Sequence, residues 1–103
     1  MKRLDSAVAR AALQHLPEWR YDAAKDAIAR EFKFDGFREA FAFMTMIALA
    51  AEKRDHHPEW SNVYNRVAIM WTTHDAGGLT AMDVELARLC DAAFSRFAAA
   101  GHG

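Results

Sequence analysis

The sequence predicts an α+β fold of order α-β-β-α-β-β-α, a single four-stranded antiparallel sheet with three helices packed on one face. Three observations carry this reading. Two pairs of short runs alternate apolar and polar residues with turn residues between the members of each pair. Three longer stretches place apolar residues at helical spacing before, between and after those pairs. The length of 103 residues fits one domain, spanning 1-103, with one sheet and one core.

Taken in order, Asp5 or Ser6 can cap a first helix running through about Leu16, with Val8, Ala12, Leu13 and Leu16 on one face. Pro17 closes it. Trp19 and Tyr21 alternate with charged residues, Ala23 to Asp26 offers a turn, and Ala27 to Phe34 reads as a strand. Ile28, Phe32 and Phe34 share one face of that strand, and Arg30 breaks the alternation. Asp35 is placed to cap a long second helix from Gly36 to about Asp55, with Phe37, Phe41, Met44 and Ala48 forming the stripe aimed at the sheet. Trp60 to Tyr64 and Val67 to Thr73 form a hairpin around Asn65-Arg66. Asp75-Ala76-Gly77-Gly78 reads as a flexible connection. Thr80-Ala81-Met82-Asp83 fits a capping box, opening a third helix that carries Leu86, Cys90, Ala93 and Phe97 to about Ala99.

Phe43, Met46, Ile47 and Ala50 add a second apolar face to the middle helix. One small sheet cannot cover both faces, so the helix is either deeply buried in a compact domain or forms a helix-helix oligomer contact; monomers seldom expose large apolar patches, so a homo-oligomer is expected, with solution mass as its test. Sheet-edge pairing is the other contact open to such a fold.

Hydrophobic residues make up 52% of the chain, and 13 Lys and Arg stand against 14 Asp and Glu without long blocks of either sign. That balance gives no electrostatic case for nucleic acid. A lone cysteine, Cys90, excludes an intrachain disulfide and fits a reducing cytoplasm. The first residues, Met1-Lys2-Arg3-Leu4-Asp5, lack the apolar run of a secretory signal. The apolar stretch from Ala40 to Ala51 is shorter than the roughly 20 residues a membrane span needs. Neither secretion nor a membrane location is expected.

The run Glu52-Lys53-Arg54-Asp55-His56-His57-Pro58-Glu59-Trp60, followed by Thr73-His74-Asp75, is the most informative stretch. It collects three of the five histidines, and histidine gives and takes protons near neutral pH. Adjacent histidines leaving a helix before a proline can fan around a pocket that His74 joins from a strand end. Glu52 and Asp55 gain nothing electrostatically at a helix C-terminus, which favours a local role. Trp60 reads equally as a core residue and Asp83 as the capping-box residue, and both stay loosely attached to the site. Adjacent histidines converge poorly on one ion, so acid-base chemistry on a small molecule is preferred to a metal site. Cys90 lies in an apolar stripe, which argues against a nucleophilic role.

At these residues the chain resembles the pterin-4a-carbinolamine dehydratases. The match is the ordered set Glu52-x-x-x-His56-His57-Pro58, Tyr64, His74 and Asp83, extended by Trp19, Asp26-Ala27-Ile28, Phe32-Lys33-Phe34, Phe41-x-Phe43-Met44-Thr45 and Asn62-Val63-Tyr64-Asn65, over roughly residues 4 to 98. The resemblance implies dehydration of 4a-hydroxytetrahydropterin to quinonoid dihydropterin, a step in tetrahydropterin recycling after aromatic amino acid hydroxylation. It implies His56, His57 and His74 as catalytic residues, with Glu52, Asp55, Pro58, Trp60 and Asp75 beside the pterin. It also implies no metal or organic cofactor, a homodimer or homotetramer, and functional pairing with an aromatic amino acid hydroxylase. Animal members carry a basic residue before the final aspartate and a glutamate after the third histidine, where this chain has Met82 and Asp75. Vertebrate members also bind a transcription factor through a helical face, so an interaction or assembly-factor role is the alternative reading.

Overall fold

In the computed structural model, which describes residues 1–100 and side chains through residue 98, the elements follow the expected order. They are α1 (Ser6–Leu13), β1 (Arg20–Asp22), β2 (Ala27–Lys33), α2 (Phe37–Lys53), β3 (Glu59–Val63), β4 (Arg66–Trp71) and α3 (Ala81–Ala100). A 3-10 turn, His74–Ala76, lies between β4 and α3. The antiparallel sheet has strand order β1-β2-β4-β3, so the two hairpins meet through β2 and β4 in the middle.

Register places Ile28 opposite Trp71 and Phe32 opposite Val67, with Ile69 between them on the same face. These side chains are buried, and Phe43, Ile47, Leu86 and Cys90 of the helices close over them. Arg30 occupies the core face of β2 without contradicting it. Its guanidinium lies 4.5 Å from the centre of the Phe32 ring, and Nη1 donates to Asp91 Oδ1 at 2.6 Å. The Trp19 indole N–H donates to the same Asp91 oxygen at 2.9 Å. The cation is thus accommodated at the core margin by π contact and an ion pair.

Several local expectations are corrected. The stripe of α2 aimed at the core is Ala40, Phe43, Ile47 and Ala51, while Phe37 and Phe41 are exposed with Met46 and Leu49. The core stripe thus combines Phe43 and Ile47 of the second apolar face with the small residues Ala40 and Ala51, while Met44 packs at its margin and Met46 turns outward. The N-cap of α2 is Gly36, and Asp35 makes no capping bond. Helix α1 ends at Leu13 and buries no residue, with Val8 exposed and Leu16 entering the core from the following turn. The second hairpin turns on Tyr64-Asn65, one residue before Asn65-Arg66, because Val63 pairs with Arg66. Asn62 Nδ2 caps that turn by donating to the Tyr64 and Arg66 carbonyls.

The connection after β4 is an ordered loop. Thr73 and Gly78 exchange backbone hydrogen bonds of 3.1 and 3.2 Å, and Gly77 takes a φ of 79° to end the 3-10 turn. Among the described residues no helix is long and apolar enough to cross a membrane.

Candidate active site

The end of α2 explains how two adjacent histidines come to face different ways. Arg54 is the C-cap, the Asp55 N–H donates to the Glu52 carbonyl at 3.1 Å, and the His56 N–H donates to the Ala51 carbonyl at 3.0 Å. That pair of bonds is a Schellman closure, which requires a left-handed residue between cap and exit. Asp55 supplies it with a φ of 51°, where glycine is the usual occupant. The closure folds His56 inward against the protein and leaves His57 on the surface.

An Asp55→Gly variant is therefore expected to stay as stable or gain up to about 1 kcal/mol, because it relieves the left-handed penalty. Asp55→Val should lose about 1–2 kcal/mol by the same argument. Urea unfolding checks both signs.

His56 is held by a buried polar hub. Its Nε2 is 2.6 Å from Asp83 Oδ1, and its ring stacks on Trp71 with centroids 5.9 Å apart and an interplanar angle of 18°. Asp83 is fully buried, and its other oxygen accepts from Thr73 Oγ1 at 2.8 Å and from the Thr80 N–H at 2.8 Å. Half of the predicted capping box is therefore present, since the Asp83 N–H donates to the Thr80 carbonyl rather than to its hydroxyl, and the carboxylate does more than cap. It joins the α2 exit, the start of α3 and the residue just before His74. Since Asp83 accepts from Nε2–H, a neutral His56 would keep Nδ1 as its free acceptor.

The other predicted residues fall into two outer groups. His57 Nε2 lies 2.7 Å from Glu52 Oε1, both side chains being exposed. His74 Nε2 lies 3.3 Å from Glu59 Oε2. His74 and Glu59 line an open cleft of about 370 Å³ with Lys25, Thr72, Gly77 and Gly78. His56 and His57 do not line this cleft, and the bonds from His56 through Asp83 end at Thr73, the residue before His74. Asp55 and Asp75 are exposed, and Pro58 is half-buried between His57 and β3. Trp60 is half-buried opposite Ile69, on the core face of the sheet.

Glu59 carries no role in the sequence reading, and Asp83 enters it as a cap and as the last member of the set that carries the resemblance, without a named partner. Glu59 sits inside the His-His-Pro-Glu-Trp run, where strand alternation puts it on the face opposite Trp60. Asp83 was hidden by its adequacy as a cap. Among the described residues no cluster of three His, Cys, Asp or Glu side chains is arranged to hold a metal ion. Burial pushes the Cys90 thiol up to about 12, only partly offset by the Trp71 indole, so the thiol stays protonated and unreactive.

Comparison with known proteins agrees with this architecture. The family model for pterin 4 alpha carbinolamine dehydratase matches residues 2–93. A relative from Rhizorhabdus wittichii, provisionally named a pterin-4-alpha-carbinolamine dehydratase, is 62% identical over 81 residues, covering 79% of this chain and 84% of its own. One from Rhodopseudomonas palustris strain HaA2, named in the same provisional way, is 50% identical over 100 residues, covering 97% and 99%. A crystal structure described as a transcriptional coactivator/pterin dehydratase from Brucella melitensis superposes with a TM-score of 0.86 at 44% identity, covering 89% of this chain and 98% of that one. On a match across nearly its whole length, the chain belongs to the pterin 4 alpha carbinolamine dehydratase family.

Proposed function

We propose that the protein dehydrates 4a-hydroxytetrahydropterin to quinonoid dihydropterin and water in the cytoplasm, recycling the pterin released by an aromatic amino acid hydroxylase. The proton at N5 is removed, the C4a–O bond breaks as the hydroxyl is protonated, and the nitrogen electron pair forms the N5=C4a bond. One base and one acid suffice, and imidazole, whose reference pKa is about 6.5, is suited to either role. His56 and His74 carry the proton transfers and His57 positions the pterin. Glu52, Asp55, Pro58, Trp60 and Asp75 contribute to binding it.

The observation that carries this reading is the buried Asp83 carboxylate, which holds His56 in one orientation and is bonded to the residue preceding His74. A buried carboxylate fixing an imidazole is a device for proton transfer, because it sets which ring nitrogen is free to react. No metal or organic cofactor has a part in this scheme. The test is the ultraviolet change of enzymatically generated 4a-hydroxytetrahydropterin with and without a chelator. The expected result is turnover well above the spontaneous rate and unchanged by chelator. No acceleration would remove the dehydratase reading and leave the interaction role.

The exposed Phe37 and Phe41, whose rings lie 5.8 Å apart on α2, together with Leu49 support a homo-oligomer. A dimer or tetramer is the expected solution mass. The same face is the surface an interaction role would use.

A further inference from the structure

The most heavily restrained residue near the His74 cleft is Asp26, which belongs to no group considered so far. It closes the β1–β2 turn with a φ of 48°. Its carboxylate accepts from Tyr21 Oη at 2.6 Å, Arg3 Nε at 2.7 Å and the Leu79 N–H at 3.3 Å. Its carbonyl accepts from Thr72 Oγ1 at 3.0 Å. Thr72 and Leu79 stand on either side of the Thr73–Gly78 loop that carries His74. Asp26 therefore grips both ends of that loop, while its neighbour Lys25 lines the cleft facing His74.

Gly78 shows how close the grip is. A Cβ built there would lie 2.0 Å from Asp26 Oδ2, so any side chain at this position must displace the carboxylate. The chain start adds a strap, since the Leu4 N–H donates to the Leu79 carbonyl at 2.8 Å beside the Arg3 contact. Burial raises the Asp26 pKa, but hydrogen bonds from Tyr21, Arg3 and the Leu79 N–H outweigh it and hold the carboxyl below its usual value. The group that grips the loop is thus the anion.

We propose that Asp26, held by Arg3 and Tyr21, is a positioning residue for the reaction, fixing the Thr73–Gly78 loop so that His74 faces the substrate. It touches no reacting atom and acts through Thr72, Gly78 and Leu79. The inference rests on His74 being a proton-transfer residue, as proposed above. Acid-base catalysis is sensitive to such placement, since a displacement of about 1 Å can cost 10²-fold.

The experiment compares Asp26→Asn, Gly78→Ala and Arg3→Ala with the parent and with His74→Ala. Each is assayed for kcat and KM well below its melting temperature, and the histidine ring resonances are followed in labelled protein. The expected result is a fall in kcat of about 10-fold or more in Asp26→Asn and Gly78→Ala, and a smaller one in Arg3→Ala. The His74 ring signal should shift in all three while that of His57 stays in place. A purely structural Asp26 would lower the melting temperature and leave both kcat and the His74 signal unchanged, which would overturn the proposal. Arg3 is largely exposed, so Arg3→Ala keeps the question answerable if Asp26→Asn does not fold. Full activity in His74→Ala would instead remove the catalytic reading on which the inference rests.

Discussion

Asp83→Ala is expected to destabilise the fold by about 3–5 kcal/mol, the largest stability loss of any single polar truncation at the site. The carboxylate is wholly buried and three donors converge on it: His56 Nε2–H, Thr73 Oγ1 and the Thr80 N–H. Alanine would leave His56 buried against Trp71 without a partner and the Thr80 N–H at the start of α3 without its carboxylate acceptor. Asp83→Asn separates the charge from the shape. With its oxygen toward His56, the amide turns an N–H toward the Thr80 N–H and leaves that donor unsatisfied, at a cost of about 1–3 kcal/mol. With the amide flipped, Nδ2–H faces His56 Nε2, which accepts it only after the ring proton moves to Nδ1, so the conflict is resolved by switching the tautomer. Equilibrium urea unfolding should rank parent, Asn and Ala in that order. If the pair also fixes the reacting tautomer of His56, kcat of the folded Asn variant falls by roughly 10²-fold or more. An Asn variant with unchanged kcat would reduce Asp83 to a cap.

What could be read in advance follows from how far apart the determining groups lie in sequence. Two-residue alternation in Val67, Ile69 and Trp71 identified β4 because each residue meets its own cross-strand neighbour, Phe32, Arg30 or Ile28. Helix α2 was legible as a helix but its orientation was not. It is apolar around most of its circumference, so periodicity alone cannot say which face meets β4. The buried stripe includes Ala40 and Ala51, whose small size carries no signal until a facing surface exists. The Thr73–Gly78 loop read as slack because its glycines are conformationally free in isolation. Its own backbone pairing is supplemented by Asp26, about fifty residues earlier in the chain, which no local pattern announces. Asp83 was visible as a cap from Thr80, three residues away, yet invisible as the partner of His56, twenty-seven residues away. Local chemistry sufficed to explain it, so nothing local demanded a second role.

His74→Ala should show the opposite pattern from Asp83, a loss of about 10²- to 10⁴-fold in kcat with stability within about 1 kcal/mol of the parent. The imidazole stands on an exposed 3-10 turn whose backbone bonds, Ala76 N–H to Thr73 O and Gly77 N–H to His74 O, do not use the side chain. Among the described residues its one charged contact, 3.3 Å to Glu59, is solvent-exposed at both ends, and such pairs contribute little to folding. A large activity loss could not then be attributed to unfolding. Glu59→Gln provides the comparison, since it removes the charge beside the imidazole while leaving the ring in the cleft. It should cost far less than His74→Ala if the ring itself transfers the proton. Stopped-flow measurement of the dehydration step, read beside urea midpoints for both variants, separates the possibilities. His74→Ala with full kcat would leave His56 to carry the chemistry from its buried position. A collapse of stability would mean that the turn depends on its side chain in a way these backbone bonds do not require.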